Sequence, residues 1–289
     1  MQKIVPHLWF DREAVEAAEF YASVFDNSRI KFKNRIYDTP SGDCDIVGFQ
    51  VMGYDFMAIS AGPLFKFNPS ISFHAKCRTV EEVNTIWKKL TVGGTVMMEL
   101  GKYPFSRRYG WIQDRYGVSW QVIHTEQDFK QRITPVLMFV GNVLSKAEEA
   151  INFYASIFPD AKAQVFARYA KEDKPDKEGT VKYGHFMFDG QEFGVMDSAR
   201  NHGFGFNEAI SFIVNCKDQS EIDDYWKKIS AVPAAEQCGW IKDKYGLSWQ
   251  IIPAHIGELL GRNPEKTTPV MLKMKKIIIA DLIKEAEEK

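Results

Sequence analysis

The sequence predicts an α+β fold of four strand–helix–strands modules (βαβββ), forming two tandem domains with open, curled sheets and followed by a C-terminal helix. Three observations lead to this prediction. The segment GWIQDRYGVSWQVI at 110–123 returns as GWIKDKYGLSWQII at 239–252, with 10 of 14 positions identical. Two other segments recur in the same order, and within each copy a strand pattern followed by a helix pattern occurs twice.

The other recurring segments extend the repeat over most of the chain. FYASVF at 20–25 returns as FYASIF at 153–158, and ISFHAKCRTVEEVNTIWKKL at 71–90 returns as ISFIVNCKDQSEIDDYWKKI at 210–229. The offsets between matching segments differ slightly, as insertions and deletions in surface loops would produce. The chain therefore contains two copies of one unit.

The repeat sets the predicted domain boundaries. The first domain, copy one, occupies residues 1–125, and the second domain, copy two, occupies residues 132–253. The polar residues 125–128 and their neighbours link the two copies, and residues 254–289 form a helical tail. A chain of 289 residues has room for two domains of ordinary size.

Copy one begins with a strand and a helix. IVPHLWF at 4–10 alternates and is rich in strand-forming residues, so it predicts a strand. Asp11 is then predicted to cap a helix. The apolar face of this helix is expected to consist of Ala14, Ala18, Tyr21 and Phe25.

A hairpin is predicted after the first helix of each copy. In copy one, VGFQVM at 47–52 and FMAIS at 56–60 flank a Gly-Tyr-Asp turn. In copy two, HFMF at 185–188 and EFGVM at 192–196 flank an Asp-Gly turn, which indicates a hairpin more strongly.

The strand–helix pattern then restarts. ISFHAKC at 71–77 predicts a strand, and Thr79 with Glu82 predicts a capping box at the start of a helix that ends near Leu90. Further strands follow, and the last of them is VSWQVI at 118–123. In copy two the corresponding stretch before the final turn is shorter, which indicates a trimmed loop or hairpin.

The tail has the composition of a basic amphipathic helix. Such a helix either lies on a membrane surface or packs on its own protein or on a partner subunit, and we expect it to pack. Its apolar face is predicted to contain Met271, Met274, Ile278 and Leu282.

Composition excludes several classes of partner. The chain has 37 basic and 38 acidic residues, a net charge of −1 and no long basic run, which argues against nucleic acid or an anionic membrane. No apolar run approaches the roughly 20 residues that span a bilayer. Charges near the N-terminus argue against a signal peptide, and four cysteines without CxxC spacing suit a reducing compartment. We therefore expect a cytoplasmic protein.

The paired modules, each pair ending in an aspartate-x-aromatic-glycine turn before a final strand, resemble the vicinal oxygen chelate superfamily of glyoxalases, bleomycin-resistance proteins and extradiol dioxygenases. The closer resemblance is to its PhnB-like branch, described as 3-demethylubiquinone-9 3-methyltransferase domains. It covers nearly the whole chain and implies a fold rather than one reaction. It is carried by PHLWFDREAVEAAEFYASVF at 6–25, GPLFKF at 62–67, ISFHAKC with the Trp87 helix, GWIQDRYGVSWQVI and MLKMKKIIIADL at 271–282.

The resemblance also locates a metal site that this sequence does not complete. In metal-using members of the superfamily, His or Gln and two Glu side chains converge on one divalent ion. The final-strand Glu falls on Gln121 and Gln250 here, and a neutral amide offsets the dehydration of a metal ion poorly. We therefore expect no cofactor. The alternative is a weakly held divalent ion at His7, His185 or Asp197, of which the last two could meet in copy two.

The leading functional hypothesis is a small-molecule binding protein. Each copy is expected to curl its strands into a cup that holds an apolar or aromatic molecule without a tight metal. For each aromatic side chain the alternative is core packing. The predicted ligand-binding residues are Trp9, Phe49, His74, Trp111, Trp120, Gln121, His185, Phe212, Trp240, Trp249 and Gln250.

The alternative hypothesis is a metal-dependent glyoxalase-, isomerase- or dioxygenase-type enzyme acting on a small oxygenated substrate, with His185 and Asp197 as a weak metal or general-base site. A methyltransferase that uses S-adenosylmethionine is not expected, because such enzymes need a glycine-rich strand-to-helix loop and Gly93-Gly94 follows a helix. The two copies can pair within one chain, so either a monomer with a pseudo-two-fold axis or a homodimer is expected.

Replacing Gln121 by Ala tests where this side chain lies. If Gln121 faces an empty cup, the free energy of unfolding should hardly change. A loss of several kcal/mol in denaturant unfolding would identify it as a buried hydrogen-bonding element.

Overall fold

The computed structural model describes residues 1–287, apart from the side chain of Asp38. Copy one forms, in chain order, β1 (Ile4–Phe10), α1 (Ala14–Val24), β2 (Arg29–Thr39), β3 (Gly42–Val51), β4 (Tyr54–Ser60), β5 (Ile71–Cys77), α2 (Val80–Leu90), β6 (Thr95–Tyr103), β7 (Ser106–Gln113) and β8 (Ser119–His124). Copy two forms β9 (Ile133–Phe139), α3 (Ala147–Ile157), β10 (Lys162–Arg168), β11 (Val181–Phe188), β12 (Gln191–Asp197), β13 (Ile210–Cys216), α4 (Gln219–Ile229), β14 (Trp240–Lys242) and β15 (Ser248–Pro253). The tail forms α5 (Ile256–Arg262), α6 (Pro264–Lys273) and α7 (Ile279–Glu287).

The strands combine in two curled sheets. The first sheet has the order β14-β15-β13-β1-β4-β3-β2, and the second sheet has the order β10-β11-β12-β9-β5-β8-β7-β6. The four modules and the α+β class predicted from the sequence are confirmed. Their distribution differs from the expectation, because each sheet takes one module from each copy instead of both modules from one copy.

Two antiparallel ladders join the copies. In the first sheet, β1 pairs with β13 from Ile4 opposite Val214 to Leu8 opposite Ile210. In the second sheet, β5 pairs with β9 over a register that places His74 opposite Thr134. Exchanging the two copies converts one strand order into the other, apart from β6, which has no counterpart among the described residues of copy two.

The hydrophobic core lies between the two sheets and their helices. Successive residues of a strand point to opposite faces, so alternate apolar side chains of each sheet face the other sheet. The ring of Phe56 in the first sheet lies 5.0 Å from that of Phe73 in the second, and Phe193 lies 5.5 Å from Phe212. The opposite face of each sheet points away from this core and is called here its outer face.

The repeated segment is built around a buried carboxylate. In copy one, Asp114 Oδ2 accepts hydrogen bonds from Tyr21 Oη at 2.8 Å and Trp120 Nε1 at 2.9 Å. Asp114 Oδ1 accepts the backbone N–H groups of Tyr116 and Val118 in the following turn. Burial raises the pKa of the Asp114 carboxyl to about 6, although these hydrogen bonds act to lower it.

Copy two repeats this arrangement around Asp243. Its carboxylate accepts from Tyr154 Oη at 2.8 Å and Trp249 Nε1 at 2.9 Å. The turn in each copy is closed by a glycine with positive φ, +88° at Gly117 and +84° at Gly246, a conformation that other residues resist. The repeated segment therefore has a structural role, since it fastens a helix of one sheet to the final turn of the other.

The helices begin with two kinds of cap. At α2 the predicted Thr79 cap is confirmed, because the Thr79 side chain accepts the backbone N–H of Glu82 at 3.1 Å. The other half of the predicted capping box differs, since the Glu82 carboxylate accepts the backbone N–H of Arg78 instead of that of Thr79. The predicted Asp11 cap of α1 is wrong. The helix starts at Ala14, whose N–H donates to Ser60 Oγ at 3.2 Å, so a side chain from β4 replaces the local cap.

The tail forms three short helices instead of one. The backbone of Met274 is extended, and this separates α6 from α7. Met271 and Met274 nevertheless pack against buried Leu282 in one apolar cluster, as predicted, whereas Ile278 is not part of that cluster. None of the helices in the described residues has the length and apolar character needed to cross a lipid bilayer.

The tail also closes the edge of the first sheet. Copy two has the three-residue strand β14 where copy one has the long β6–β7 hairpin, which confirms the predicted trimming. The backbone N–H groups of Cys238 and Gly239, directly before β14, donate to the carbonyls of Met274 and Lys275 at 2.8 and 2.7 Å. These bonds satisfy an edge that would otherwise be open to another strand.

Asp114→Ala should lower the free energy of unfolding by about 3 kcal/mol or more, because two side-chain and two backbone donors lose their buried acceptor. Urea unfolding at neutral pH measures this loss. The matched control is Asp128→Ala, which removes a fully exposed carboxylate and should change stability by no more than about 0.5 kcal/mol. Equal effects of the two changes would contradict the structural role of Asp114.

Candidate functional site

The outer face of the first sheet carries a row of polar side chains at its centre. His7 in β1 lies opposite Ser211 in β13, and Ser211 lies beside Ser248 in β15. All three are buried although they face away from the main core, because the sheet curls around them. In the adjacent row, Gln250 donates from Nε2 to Ser211 Oγ at 2.9 Å.

Aromatic rings surround His7. The Trp240 ring lies edge-on to the imidazole with centroids 5.7 Å apart, and Trp9 lies 6.1 Å from Trp240. Phe65, from the loop after β4, contacts Trp9 at 5.1 Å. Trp9 is held in place by a hydrogen bond from its Nε1 to the carbonyl of Gly62 at 2.9 Å. The imidazole therefore lies in largely apolar, aromatic surroundings.

Two polar atoms on this face lack partners. Within residues 1–287, neither His7 Nδ1 nor Ser248 Oγ has a hydrogen-bond partner, and both atoms are buried. Burial lowers the pKa of His7 to about 3, so the imidazole is neutral at physiological pH. A neutral imidazole has one donor and one acceptor nitrogen, and leaving buried polar atoms unpaired is costly. The first sheet thus contains two buried polar atoms with unused hydrogen-bonding capacity, one of them surrounded by aromatic rings.

The outer face of the second sheet carries a different set. Here Thr134, His74, Gln121 and Trp111 form one row across β9, β5, β8 and β7. Gln121 Oε1 accepts from Tyr109 Oη at 2.5 Å and lies 2.7 Å from His74 Nε2. The Gln121 amide nitrogen Nε2 also donates to Ser72 Oγ of β5 at 2.7 Å, so both polar atoms of this side chain form hydrogen bonds.

A cluster of charged side chains lies on the same face, at the position of Lys76, two residues beyond His74 in β5. Lys76 Nζ is 2.7 Å from Glu192 Oε2, and His185 Nδ1 is 3.6 Å from Glu192 Oε1. Burial acts to raise the pKa of Glu192, but the adjacent His185 and Lys76 outweigh it and lower the pKa to about 2. Glu192 therefore remains a carboxylate and is poorly suited to act as a general base.

Four predicted ligand-binding residues lie elsewhere. Phe49, Trp120, Phe212 and Trp249 are fully buried in the core between the sheets, which corrects the prediction that they line a pocket. The physical reason is the strand alternation, since a Trp adjacent to an outward-facing Gln points to the opposite face. The predicted residues that do lie on the outer faces are Trp9, Trp240 and Gln250 in the first sheet, and His74, Trp111, Gln121 and His185 in the second.

The predicted meeting of His185 and Asp197 does not occur. His185 lies opposite Gly194 on the outer face of the second sheet. Asp197 is buried, and its carboxylate accepts the backbone N–H groups of Ala147 at 3.2 Å and Val181 at 3.0 Å. Asp197 therefore caps α3 in the way that Ser60 of β4 caps α1. Both of its carboxylate oxygens already accept hydrogen bonds.

The described side chains do not fit a tightly held divalent ion. Among residues 1–287, no group of three or more His, Cys, Asp or Glu side chains is placed to hold one metal. His7 is accompanied by serine hydroxyls, and His74 by an amide that is already hydrogen-bonded. Neither donor set supplies the carboxylate charge that offsets the dehydration of such an ion.

A cavity of about 650 Å³ lies between the loops at 140–144 and 198–206, away from the candidate faces. In it, Ser198 Oγ is 2.8 Å from His202 Nε2, a pairing found in some nucleophilic serine sites. The backbone N–H groups of Ser198 and Ala199 already donate to other acceptors, so they cannot stabilise an oxyanion. The geometry does not favour a serine nucleophile.

Several polar residues of the outer faces are not among the predicted ligand-binding residues. Ser72 and Ser211, which accept from Gln121 and Gln250, recur at matching positions of the two copies. That recurrence beside a repeated Gln could have identified them. Thr134 has no such signal, because its counterpart in copy one is apolar.

The profile of the protein family described as 3-demethylubiquinone-9 3-methyltransferase matches residues 2–123 and 131–252. A putative 3-demethylubiquinone-9 3-methyltransferase, a PhnB protein from Bacillus cereus, is 39% identical over 43% of this chain and 100% of its own, with a TM-score of 0.40. Glyoxalase I from Zea mays is 12% identical over 89% of this chain and 96% of its own, with a TM-score of 0.55. No curated protein matches the chain. The glyoxalase-like fold predicted from the sequence is confirmed.

The two final-strand amides should differ in their contribution to stability. Gln121→Ala leaves three polar partners unpaired and should cost about 3 kcal/mol of unfolding free energy, whereas Gln250→Ala leaves one and should cost about 1 kcal/mol. Urea unfolding of both variants measures the difference. A cost for Gln250→Ala equal to or greater than that for Gln121→Ala would contradict the hydrogen-bond assignment.

Proposed function

The chain belongs to the 3-demethylubiquinone-9 3-methyltransferase family, and from this premise we propose that it binds a small apolar or aromatic molecule on the outer face of the first sheet, without a tightly held metal ion. The observation that carries the proposal is the unpartnered, buried Nδ1 atom of His7 inside an aromatic pocket.

The shape and chemistry of this face support an aromatic ligand. The Trp9 ring lies at roughly right angles to the rings of Trp240 and Phe65, an arrangement in which a further ring can pack edge-to-face. Met57 lies beside His7 in the parallel β1–β4 pair, and Ile59 lies beside Trp9, so the β4 side of this face is apolar. Pockets of this kind bind small molecules mainly by burying apolar surface.

The unpartnered atoms support a ligand with one polar group. A hydroxyl group can donate or accept, so it suits either tautomer of a neutral His7 imidazole. A hydrogen bond between the ligand hydroxyl and the His7 imidazole would recover part of the free energy lost by burying the imidazole nitrogen without a partner. The expected ligand therefore combines an aromatic body with a single hydroxyl or similar group.

The family description names a methyltransferase, but the proposal does not extend to S-adenosylmethionine. Gly93 has a φ of +76° and lies just after the C-terminus of α2, ahead of β6. A loop that ends a helix cannot supply the phosphate- or cofactor-binding turn that begins one.

The metal-dependent enzyme alternative has weaker support. That alternative required His185 and Asp197 to share a site, but the Asp197 carboxylate accepts hydrogen bonds from backbone N–H groups instead.

The proposal also includes a cytoplasmic location and a monomeric state in which the two copies pair about an internal pseudo-two-fold axis. A homodimer is the alternative.

Two probes and one variant test the proposal. In titration calorimetry, p-cresol should bind about tenfold more tightly than toluene, because only p-cresol can pair with His7. His7→Leu should remove that preference with little change in the free energy of unfolding, since the buried Nδ1 atom of His7 makes no hydrogen bond within the described residues. The control is His202→Leu, which lies in a different cavity and should retain the preference.

Metal content provides an independent test. Protein purified without an affinity tag should contain well under one equivalent of Zn, Ni, Mn or Fe, and titration of these ions should not raise the melting temperature appreciably. Stoichiometric metal, or a p-cresol preference that survives His7→Leu, would overturn the proposal.

A further inference from the structure

We infer that the cavity between the loops at 140–144 and 198–206 binds a small aromatic carboxylic acid, whose carboxylate pairs with Arg200 and whose ring system packs on the aromatic side chains of the cavity. The residues that line this cavity lie outside the strands, so the site is separate from the outer faces of both sheets. The inference goes beyond the proposed function and does not depend on it, because it uses none of the first-sheet residues.

Two loops that are longer in copy two than in copy one enclose the cavity. Between β1 and α1, copy one has three residues, 11–13, whereas copy two has seven, 140–146, between β9 and α3. Between β4 and β5, copy one has ten residues, 61–70, whereas copy two has twelve, 198–209, between β12 and β13. The cavity of about 650 Å³ lies where the two longer loops meet, and its volume is typical of a small-molecule site.

Arg200 lines the cavity with a charge that no described residue neutralises. Each of the other arginines in residues 1–287 forms an ion pair or a hydrogen bond with a side chain. Within the same range, the guanidinium of Arg200 forms neither. A guanidinium group binds a carboxylate through two parallel, charge-assisted hydrogen bonds, so a carboxylate is the group that suits this side chain.

The pair of Ser198 and His202 supplies a further hydrogen-bond donor. Ser198 Oγ lies 2.8 Å from His202 Nε2, and neither side chain has another hydrogen-bond partner among the described residues. Burial and, after it, the positive charge of Arg200 lower the pKa of His202, so the imidazole is neutral at physiological pH. A neutral imidazole and a hydroxyl each carry one polar hydrogen. One of the two forms the bond between the side chains, and the other remains for an oxygen of a ligand.

Aromatic rings form the apolar part of the cavity. Phe206 and Tyr245 both pack edge-on against Phe139 of the core, with centroid distances of 5.2 and 5.6 Å. Phe204 packs on the His202 ring with centroids 5.0 Å apart. Rings held in this way offer edges and faces to a planar ligand.

The charge of the lining favours a monocarboxylate over a phosphate ester. Within the described residues, Arg200 contributes the one positive charge of the lining, and no carboxylate lines the cavity. A monocarboxylate neutralises this charge. A phosphate group carries a charge of about −1.5 to −2 at neutral pH, so part of its charge would be desolvated beside the aromatic rings without compensation.

The test compares 2-naphthoate with 2-naphthamide, which has the same ring system and no charge. In titration calorimetry at neutral pH, 2-naphthoate should bind about tenfold more tightly than 2-naphthamide. Arg200→Gln should weaken 2-naphthoate binding by about the same factor and leave 2-naphthamide binding nearly unchanged, because it removes the charge and keeps a polar side chain. His202→Leu should weaken 2-naphthoate binding about three- to fivefold, because the Ser198–His202 pair loses its unused donor.

Arg12→Gln is the matched control. Arg12 is exposed and lies in the short loop of copy one between β1 and α1, so its replacement removes the same charge at a place without the cavity. This variant should bind 2-naphthoate as the unmodified protein does. Arg200→Gln should keep the melting temperature of the unmodified protein, since its guanidinium has no partner within the described residues, and this measurement separates a loss of binding from a loss of fold.

Each contrary result overturns the inference. These results are the absence of 2-naphthoate binding, equal binding of 2-naphthoate and 2-naphthamide, equal losses in Arg12→Gln and Arg200→Gln, and tighter binding of 2-naphthyl phosphate than of 2-naphthoate. His7→Leu should leave 2-naphthoate binding intact, so failure of the first-sheet proposal and failure of this inference can be told apart.

Discussion

The pairing of β1 with β13 and of β5 with β9 is the constraint on which the rest of the structure depends. Each ladder joins a strand of one copy to a strand of the other, so both sheets are complete only when both copies are folded. Without the ladders, the central strands would be open edges with unpaired backbone groups. The carboxylates of Asp114 and Asp243 then hold the two layers together, because each links a helix on one sheet to a turn of the other.

Much of the fold could be predicted because the repeat and the strand alternation are local signals. The hairpins, the Thr79 cap and the trimmed segment before β14 all follow from residues close together in sequence. The exchange of modules could not be predicted in this way, since identical repeats offer equivalent edges and do not indicate which edge pairs with which. Strand β2 was also not predicted: Ile30, Phe32 and Ile36 do alternate with polar residues, but most of its side chains are exposed and many are charged. The Met271 helix was predicted too long because no sequence signal marks the extended residue at 274.

The candidate site was predictable only in part, and the errors have one cause. Gln121 and Gln250 lie on the outer faces, but Trp120 and Trp249 were assigned to the same face although adjacent strand residues point in opposite directions. The two outer faces also differ in a way that composition cannot reveal. Both polar atoms of Gln121 form hydrogen bonds, whereas His7 and Thr134 have buried atoms without partners, and that distinction requires three-dimensional positions.

The exchange of modules within a single chain has a consequence for how the two faces can diverge. In a homodimer of identical subunits, every substitution appears twice, once in each cup, so the two sites stay the same. In this chain the position equivalent to His7 in copy two is position 136, which is encoded separately and carries Val. Fusion of the copies thus removes the symmetry requirement, and one molecule can acquire two ligand preferences through independent point mutations.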